Sequence, residues 1–256
     1  MKGIKMLAAA AIIGGAMLIG SCKKNDATGT MYKVRMTDGP GPYSQVNVDI
    51  RSVQVVRTDG STVTLSTHAG VYNLLRYSND IDTLIASGNV SAGTVQSVKL
   101  TLGSNNTVVK DGTSYPMAIN SGDDAGLTLA IHQNVVANTT TELLVDFDAN
   151  QSVVTDDNGA TYHLRPVLRT IGLDVSATGS IMGHITPANT NVVITVTGNG
   201  GTFSTSATDD GHFRIRGLTQ GTYTVTITPP SPLTAVTVPN IAVTAGETAD
   251  IGLVAF

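Results

Sequence analysis

The sequence predicts an all-β protein built as two β-sandwich domains, with at most one short helix in the first, behind an N-terminal targeting segment. Three observations carry this. The chain has 256 residues, room for two modest domains once a targeting segment is removed. Hydrophobic residues make up 41% and charged residues only 13%, unlike a disordered chain, and the abundant Thr and Val favour pleated, half-buried surfaces over helix. Apolar and polar residues alternate over most of the chain, in short runs separated by Gly, Pro, Asn and Asp. The formal net charge of −4 excludes a general nucleic-acid binder, which needs a basic surface to displace phosphate counterions.

Lys2 and Lys5 form a charged start, and Met6 to Ile19 is an apolar run shorter than the ~20 residues that span a bilayer. Ile19-Gly20-Ser21 leads into Cys22, the only cysteine. The stretch resembles a bacterial lipoprotein signal with its lipobox. This implies that residues 1–21 are a signal peptide and that Cys22 becomes a lipid-modified N-terminus, the protein's link to the membrane. An ordinary secretory signal is the alternative. Residue 23 is Lys, not the Asp associated with inner-membrane retention. Lys24-Asn25-Asp26 is similar to the lysine-plus-acid export signal of Bacteroidetes surface lipoproteins, with Asn where an acid is commoner. The resemblance implies an outer-membrane lipoprotein at the cell surface, with the periplasmic face as alternative. With its sulfur lipidated the chain has no disulfide. Residues 22–30 are polar and small, as a tether requires.

The first domain is expected over residues 31–172. Val34 and Met36 alternate with polar neighbours, then Val46, Val48 and Ile50, then Val53 and Val55. The phase moves from even to odd between Ile50 and Val53, which predicts a bulge or break near Arg51-Ser52. Thr62 to Leu65, Val98 to Leu102, Leu127 to Ile131 and Leu143 to Phe147 read as further strands. Val71 to Ser87 does not alternate and predicts a brief helix or 3-10 segment over one sheet end, broken near Asn79-Asp80. In Tyr162 to Ile171, Pro166 cannot donate a ladder hydrogen bond, so an edge strand or bulge is expected. Gly172 to Gly179 reads as a boundary.

The second domain, residues 177–256, shows strand patterns around Ile181, Val192–Val196, Phe213–Ile215 and Tyr223–Ile227. Others surround Val236–Val238, Ile241–Val243 and Ile251–Leu253. Asp210-Gly211 marks a tight turn and Pro229-Pro230 a break. Roughly seven short strands with such punctuation predict a small sandwich.

These residues also carry family resemblances. Val34-Arg-Met-Thr-Asp-Gly-Pro, Tyr72-Asn-Leu-Leu, Gly93, Ser121-Gly122 through Leu129, Val145-Asp-Phe-Asp148 and Leu164-Arg-Pro resemble the DUF4382 family over most of 31–171. The family has Pro-Ser-Gly where this chain has Asn-Ser-Gly122. The resemblance implies a secreted or lipid-anchored bacterial protein and supplies no activity. Gly179-Ser-Ile-Met-Gly-His-Ile, Thr208-Asp-Asp-Gly-His-Phe-Arg-Ile-Arg-Gly-Leu218 and Gly221-Thr-Tyr-Thr-Val225 resemble a carboxypeptidase regulatory-like, Cna-B-type domain. That implies a transthyretin-like sandwich, with glycan binding implied through the related carbohydrate-binding-like fold. Some relatives close a Lys–Asn isopeptide bond; this domain has no lysine after Lys110.

Candidate chemistry is sparse. Asp146 and Asp148 lie two apart on one strand and so share a face. With His132 and His163 on other strands they would make a metal or acid–base site if the strands were neighbours, the basis of a hydrolase alternative; a solvated sheet face is the plain reading. Asp156-Asp157-Asn158-Gly159 and Asp209-Asp210-Gly211 offer oxygen ligands but lack a closing acid, and suit turns better. Asp123-Asp124 reads as a solvated loop. There is no Gly-x-Ser-x-Gly, no paired glutamate and no phosphate-cradling loop. No catalysis and no cofactor are expected. For glycan stacking the chain has no Trp; Tyr32, Tyr43, Tyr77 and Tyr115 are the candidate platforms, each with core or rim packing as the other role. The expected function is a binding or adhesion module with a glycan or protein partner, with a structural spacer as rival.

Overall fold

A computed structural model describes residues 29–39, 41–79, 81–119, 126–156, 161–171, 178–199 and 201–256. The signal segment, Cys22, most of the tether, Asp123-Asp124, Asp157-Asn158-Gly159 and the boundary at 172–177 lie outside them. The protein is all-β. Its first domain contains β1 (Gly29–Gly39), β2 (Gln45–Arg57), β3 (Thr62–Thr64), β4 (Ser66–Thr67), β5 (Gly70–Asn73), β6 (Thr83–Ser91) and β7 (Gly93–Leu102). It continues with β8 (Thr107–Lys110), β9 (Thr113–Ile119), β10 (Leu127–Val135), β11 (Thr140–Asp148), β12 (Val153–Asp156), β13 (Thr161–Leu164) and β14 (Leu168–Ile171). One sheet has the order β14-β11-β1-β6-β4. The other runs β10-β7-β2-β8-β9-β13-β12, with β3 and β5 also paired to β2.

Alternation builds the core between these sheets. Val34 and Met36 of β1, Val46, Val48 and Ile50 of β2, and Val145 and Phe147 of β11 meet in one cluster. The phase change in β2 is a bulge: the register to β7 shifts between Ile50 and Ser52, so Val53 and Val55 return to the core as Ile50 does.

Val71–Ser87 is corrected in part. A 3-10 turn spans only Leu74–Arg76, and β5 and β6 flank it. Alternation fails because β6 is bulged against β1: Val34 pairs with Ala86 and Arg35 with Leu84, leaving Ile85 as an extra, fully buried residue. The run through Pro166 is two strands. β13 lies between β9 and β12, β14 edges the other sheet, and the chain crosses between sheets at the residue that cannot donate. A single α-helical turn, Ala149–Ser152, follows β11.

The second domain contains β15 (Gly179–Thr186), β16 (Val193–Gly198), β17 (Gly201–Thr205), β18 (His212–Leu218), β19 (Gly221–Thr228), β20 (Val236–Val243) and β21 (Thr248–Ala255). Sheets β18-β15-β21 and β17-β16-β19-β20 enclose a separate core that includes Ile181, Ile194, Val225 and Tyr223. Val236 to Val243 is one strand, and Thr208–Gly211 is the expected turn, with Gly211 at φ +92°. No helix among the described residues is long and apolar enough to cross a membrane.

Candidate functional site

Three buried carboxylates of the first domain, Asp38, Asp146 and Asp148, gather where it meets the second. β1 and β11 run parallel, with Thr37 opposite Asp146 and Gly39 opposite Asp148. Upstream, β1 alternates between core and outward positions, but from Met36 to Gly39 every residue is buried, as is every residue of β11 from Leu143 on. The core covers one face of these strand ends and the second domain the other. Gly39 is glycine for this reason: a Cβ there would run into the Ser204 carbonyl oxygen.

Each carboxylate at the junction has a structural partner. Asp146 accepts from Arg169 Nε at 2.6 Å. That guanidinium also donates to the Arg216 carbonyl at 3.2 Å and lies 4.4 Å from the Phe203 ring centroid, so one cation engages a carboxylate, a carbonyl and a π face across the junction. Asp148 accepts from the Gln151 backbone N–H at 2.9 Å, capping the helical turn, and from the Ser204 hydroxyl at 2.9 Å. Asn79, held at φ +53°, donates to the Ser206 carbonyl at 3.0 Å and accepts from Arg214 N–H at 3.1 Å. Asn tolerates this left-handed backbone better than most residues.

Asp38 is the least satisfied of the three acids. Its Oδ1 accepts from Ala149 N–H at 3.0 Å, while its Oδ2 and Asp146 Oδ1 have no partner among the described residues. Burial first, then the charge of Asp146, raises the Asp38 carboxyl well above its ordinary range, against the Ala149 hydrogen bond. Burial also raises Asp146, opposed by Arg169. Asp38 and Asp146 line a very small cavity of about 20 Å³ closed by Ser204, Arg214 and Arg216 of the second domain. Beside it an interdomain cleft of about 530 Å³ is lined by Leu127, Thr128 and Leu168 on one side and Phe203 and Thr219 on the other, with Arg169 among its polar groups.

The four-residue catalytic constellation does not assemble. Asp146 and Asp148 share the junction, but His132 is on β10 and His163 on β13, near opposite ends of the other sheet. His132 is exposed, at φ +50°, in a bulge between Ala130 and Gln133. His163 pairs with Asp156 at 2.9 Å. Nothing in the spacing revealed that β11 belongs to a different sheet from β10 and β13.

The tyrosines divide. Tyr32 is fully buried, donates to Gln133 Oε1 at 2.5 Å, and is a core residue rather than a platform; burial pushes its phenol upward. Tyr43 and Tyr115 pack on buried Tyr162, with centroids 6.4 and 4.9 Å away. Tyr77 packs beside Tyr72 at 6.4 Å. All three are half-buried at the rim. Sequence reasoning missed Ser204, Asn79 and Arg169. β17 offered only one apolar residue, Phe203, between polar neighbours, too little for a period-2 signal; the positive-φ preference of Asn was the one available cue for Asn79.

A family model described as "Domain of unknown function (DUF4382)" matches residues 28–166. A second, described as "Carboxypeptidase regulatory-like domain", matches residues 180–255. No curated protein matches the chain. Among solved structures it is similar to the Bacillus anthracis TIE protein, at 10% identity and TM-score 0.26, covering 88% of this chain and 40% of that one. The chain thus spans less than half the length of that protein. It is similar to GBS52, the minor pilin of Streptococcus agalactiae, at 10% identity and TM-score 0.23, covering 88% of this chain and 94% of that one. BcpA, the major pilin subunit of Bacillus cereus, is 8% identical at TM-score 0.23, with 88% of this chain and 99% of that one covered.

Proposed function

We propose, from the premise that the chain belongs to the DUF4382 family and carries a carboxypeptidase regulatory-like domain behind it, that it is a non-catalytic binding or adhesion module of the cell envelope. In this reading it is anchored by lipid at Cys22 and faces outward from the outer membrane. The observation that carries it is the junction. Asp146 and Asp148, the acids best placed by sequence for chemistry, are engaged by Arg169, Gln151 and Ser204 in holding two sandwiches together. The surfaces left for a partner are loops, sheet edges and the interdomain cleft, and clefts between domains are common ligand sites. The spacer reading draws on the same junction; the two part at the cleft, which a spacer does not need.

The resemblance of the second domain to carbohydrate-binding-like folds makes glycans the first ligand class to test. The experiment is a glycan array probed with the full chain and with Thr128→Arg, which places a long cation at the cleft wall on an exposed position. The expected result is a signal for at least one sugar class that Thr128→Arg abolishes. Blank arrays across diverse sugars remove the carbohydrate reading. Turnover of any arrayed sugar overturns the non-catalytic one.

A further inference from the structure

The three-stranded sheet of the second domain has an outer face remote in role from the junction. In β15, Ile181, Gly183 and Ile185 are buried, while the intervening Met182 and His184 point outward. His184 pairs directly with His212 on β18. On the other side, Met182 is opposite Asp250 and His184 opposite Leu253 of β21. The two imidazoles touch, with ring centroids 4.2 Å apart and planes at 74°. His184, His212, Met182, Asp250 and Leu253 line a shallow depression of about 400 Å³. Gly252, in the left-handed backbone region at φ +72°, completes its rim.

Of the metal-ligating groups in this depression, Asp250 alone is engaged by a side-chain hydrogen bond among the described residues. Among the described residues neither imidazole makes a side-chain hydrogen bond. Asp250 turns its Oδ1 to the Gly252 N–H at 2.8 Å. Arg214, paired across from Met182, donates to the Ser180 and Thr248 hydroxyls. Two imidazoles and one thioether remain, on three positions of a rigid sheet face.

That set selects a ligand class. Asp250 is the one carboxylate lining the depression among the described residues, so an oxygen-rich cage for calcium or magnesium is not what this face offers. Thioether sulfur is a soft ligand that favours cuprous copper, and imidazole binds copper and zinc alike. Two nitrogens on one three-coordinate metal at about 2.1 Å stand roughly 3.5 Å apart, within a small torsional adjustment of two rings already in contact. Met182 is 38% exposed, and its unbranched side chain can reach over the pair. We propose that this face is a copper site, in which His184, His212 and Met182 hold one cuprous ion.

The test uses the full chain in a Cys22→Ala background, so that the lone thiol cannot compete, with cuprous ion supplied against a chromophoric chelator. One copper per chain is expected. His184→Ala with His212→Ala lowers the affinity at least tenfold while leaving the melting temperature of the metal-free protein unchanged. Met182→Leu weakens cuprous binding and leaves zinc binding, measured by titration, as it was. Failure to retain copper overturns the site, as does retention unaltered in the double variant. Equal cuprous affinity in Met182→Leu removes the thioether and with it the choice of copper.

Discussion

At Asp38 a fully buried carboxyl has one backbone N–H for a partner and two other carboxylates nearby. Its folded-state value lies above the ordinary 3.8, so the folded protein binds this proton more tightly than the unfolded chain does. The group therefore favours folding most at low pH, and that contribution is lost as pH rises from about 4 through the raised value. Asp38→Asn keeps an acceptor for Ala149 and removes the charge. Urea unfolding should show the wild type losing stability relative to Asp38→Asn as pH increases, by at most about 1.4 kcal/mol per pH unit; a pH-independent difference would mean that Asp38 does not titrate in this range. At this scale the sequence was half legible. Spacing placed Asp146 and Asp148 on one face, but their partners Arg169 and Ser204 lie 23 and 56 residues away, and no local pattern announces a contact of that separation.

Strands were legible wherever both faces differed. β2, β7, β10, β11, β15 and β19 alternate, and each was read from its apolar phase, including the bulge at Arg51-Ser52. Legibility failed where a bulge set an extra apolar residue in the core or the second domain covered a strand's polar side chains. Ile85 is the extra residue of a bulge, which hid β6, and β17 buries Ser204 and Thr205 as well as Phe203 because it is sandwiched at the junction. Gly39 tests that sandwiching. Gly39→Ala drives a methyl into the Ser204 carbonyl without touching either hydrophobic core, so β1 and β17 must separate. Calorimetry should resolve two transitions in the variant where the wild type gives one; a single transition at the wild-type temperature would show that the contact does not couple the domains.

For the whole molecule, two separate cores were foreseeable from composition and turn spacing, because each sandwich needs its own alternating set. Their mutual arrangement was not, since it rests on a few long-range polar contacts rather than on periodicity. The proposed anchor belongs to this scale, because it would decide where the module works. Acyl chains contribute about 0.8 kcal/mol per buried CH₂, so a lipidated Cys22 makes membrane residence long-lived. Cys22→Ala should move the protein from the detergent phase to the aqueous phase in a two-phase extraction; unchanged partitioning would refute lipid at that sulfur.

The place of β1 gives such an anchor a mechanical meaning. It is an interior strand, gripped by β11 on one flank and β6 on the other, with its start on the tether side and its far end abutting β17. A tug that reached β1 through the Gly39–Ser204 contact would run lengthwise along this strand. Both hydrogen-bond ladders would then be strained in shear, many rungs together, instead of being peeled open one rung at a time.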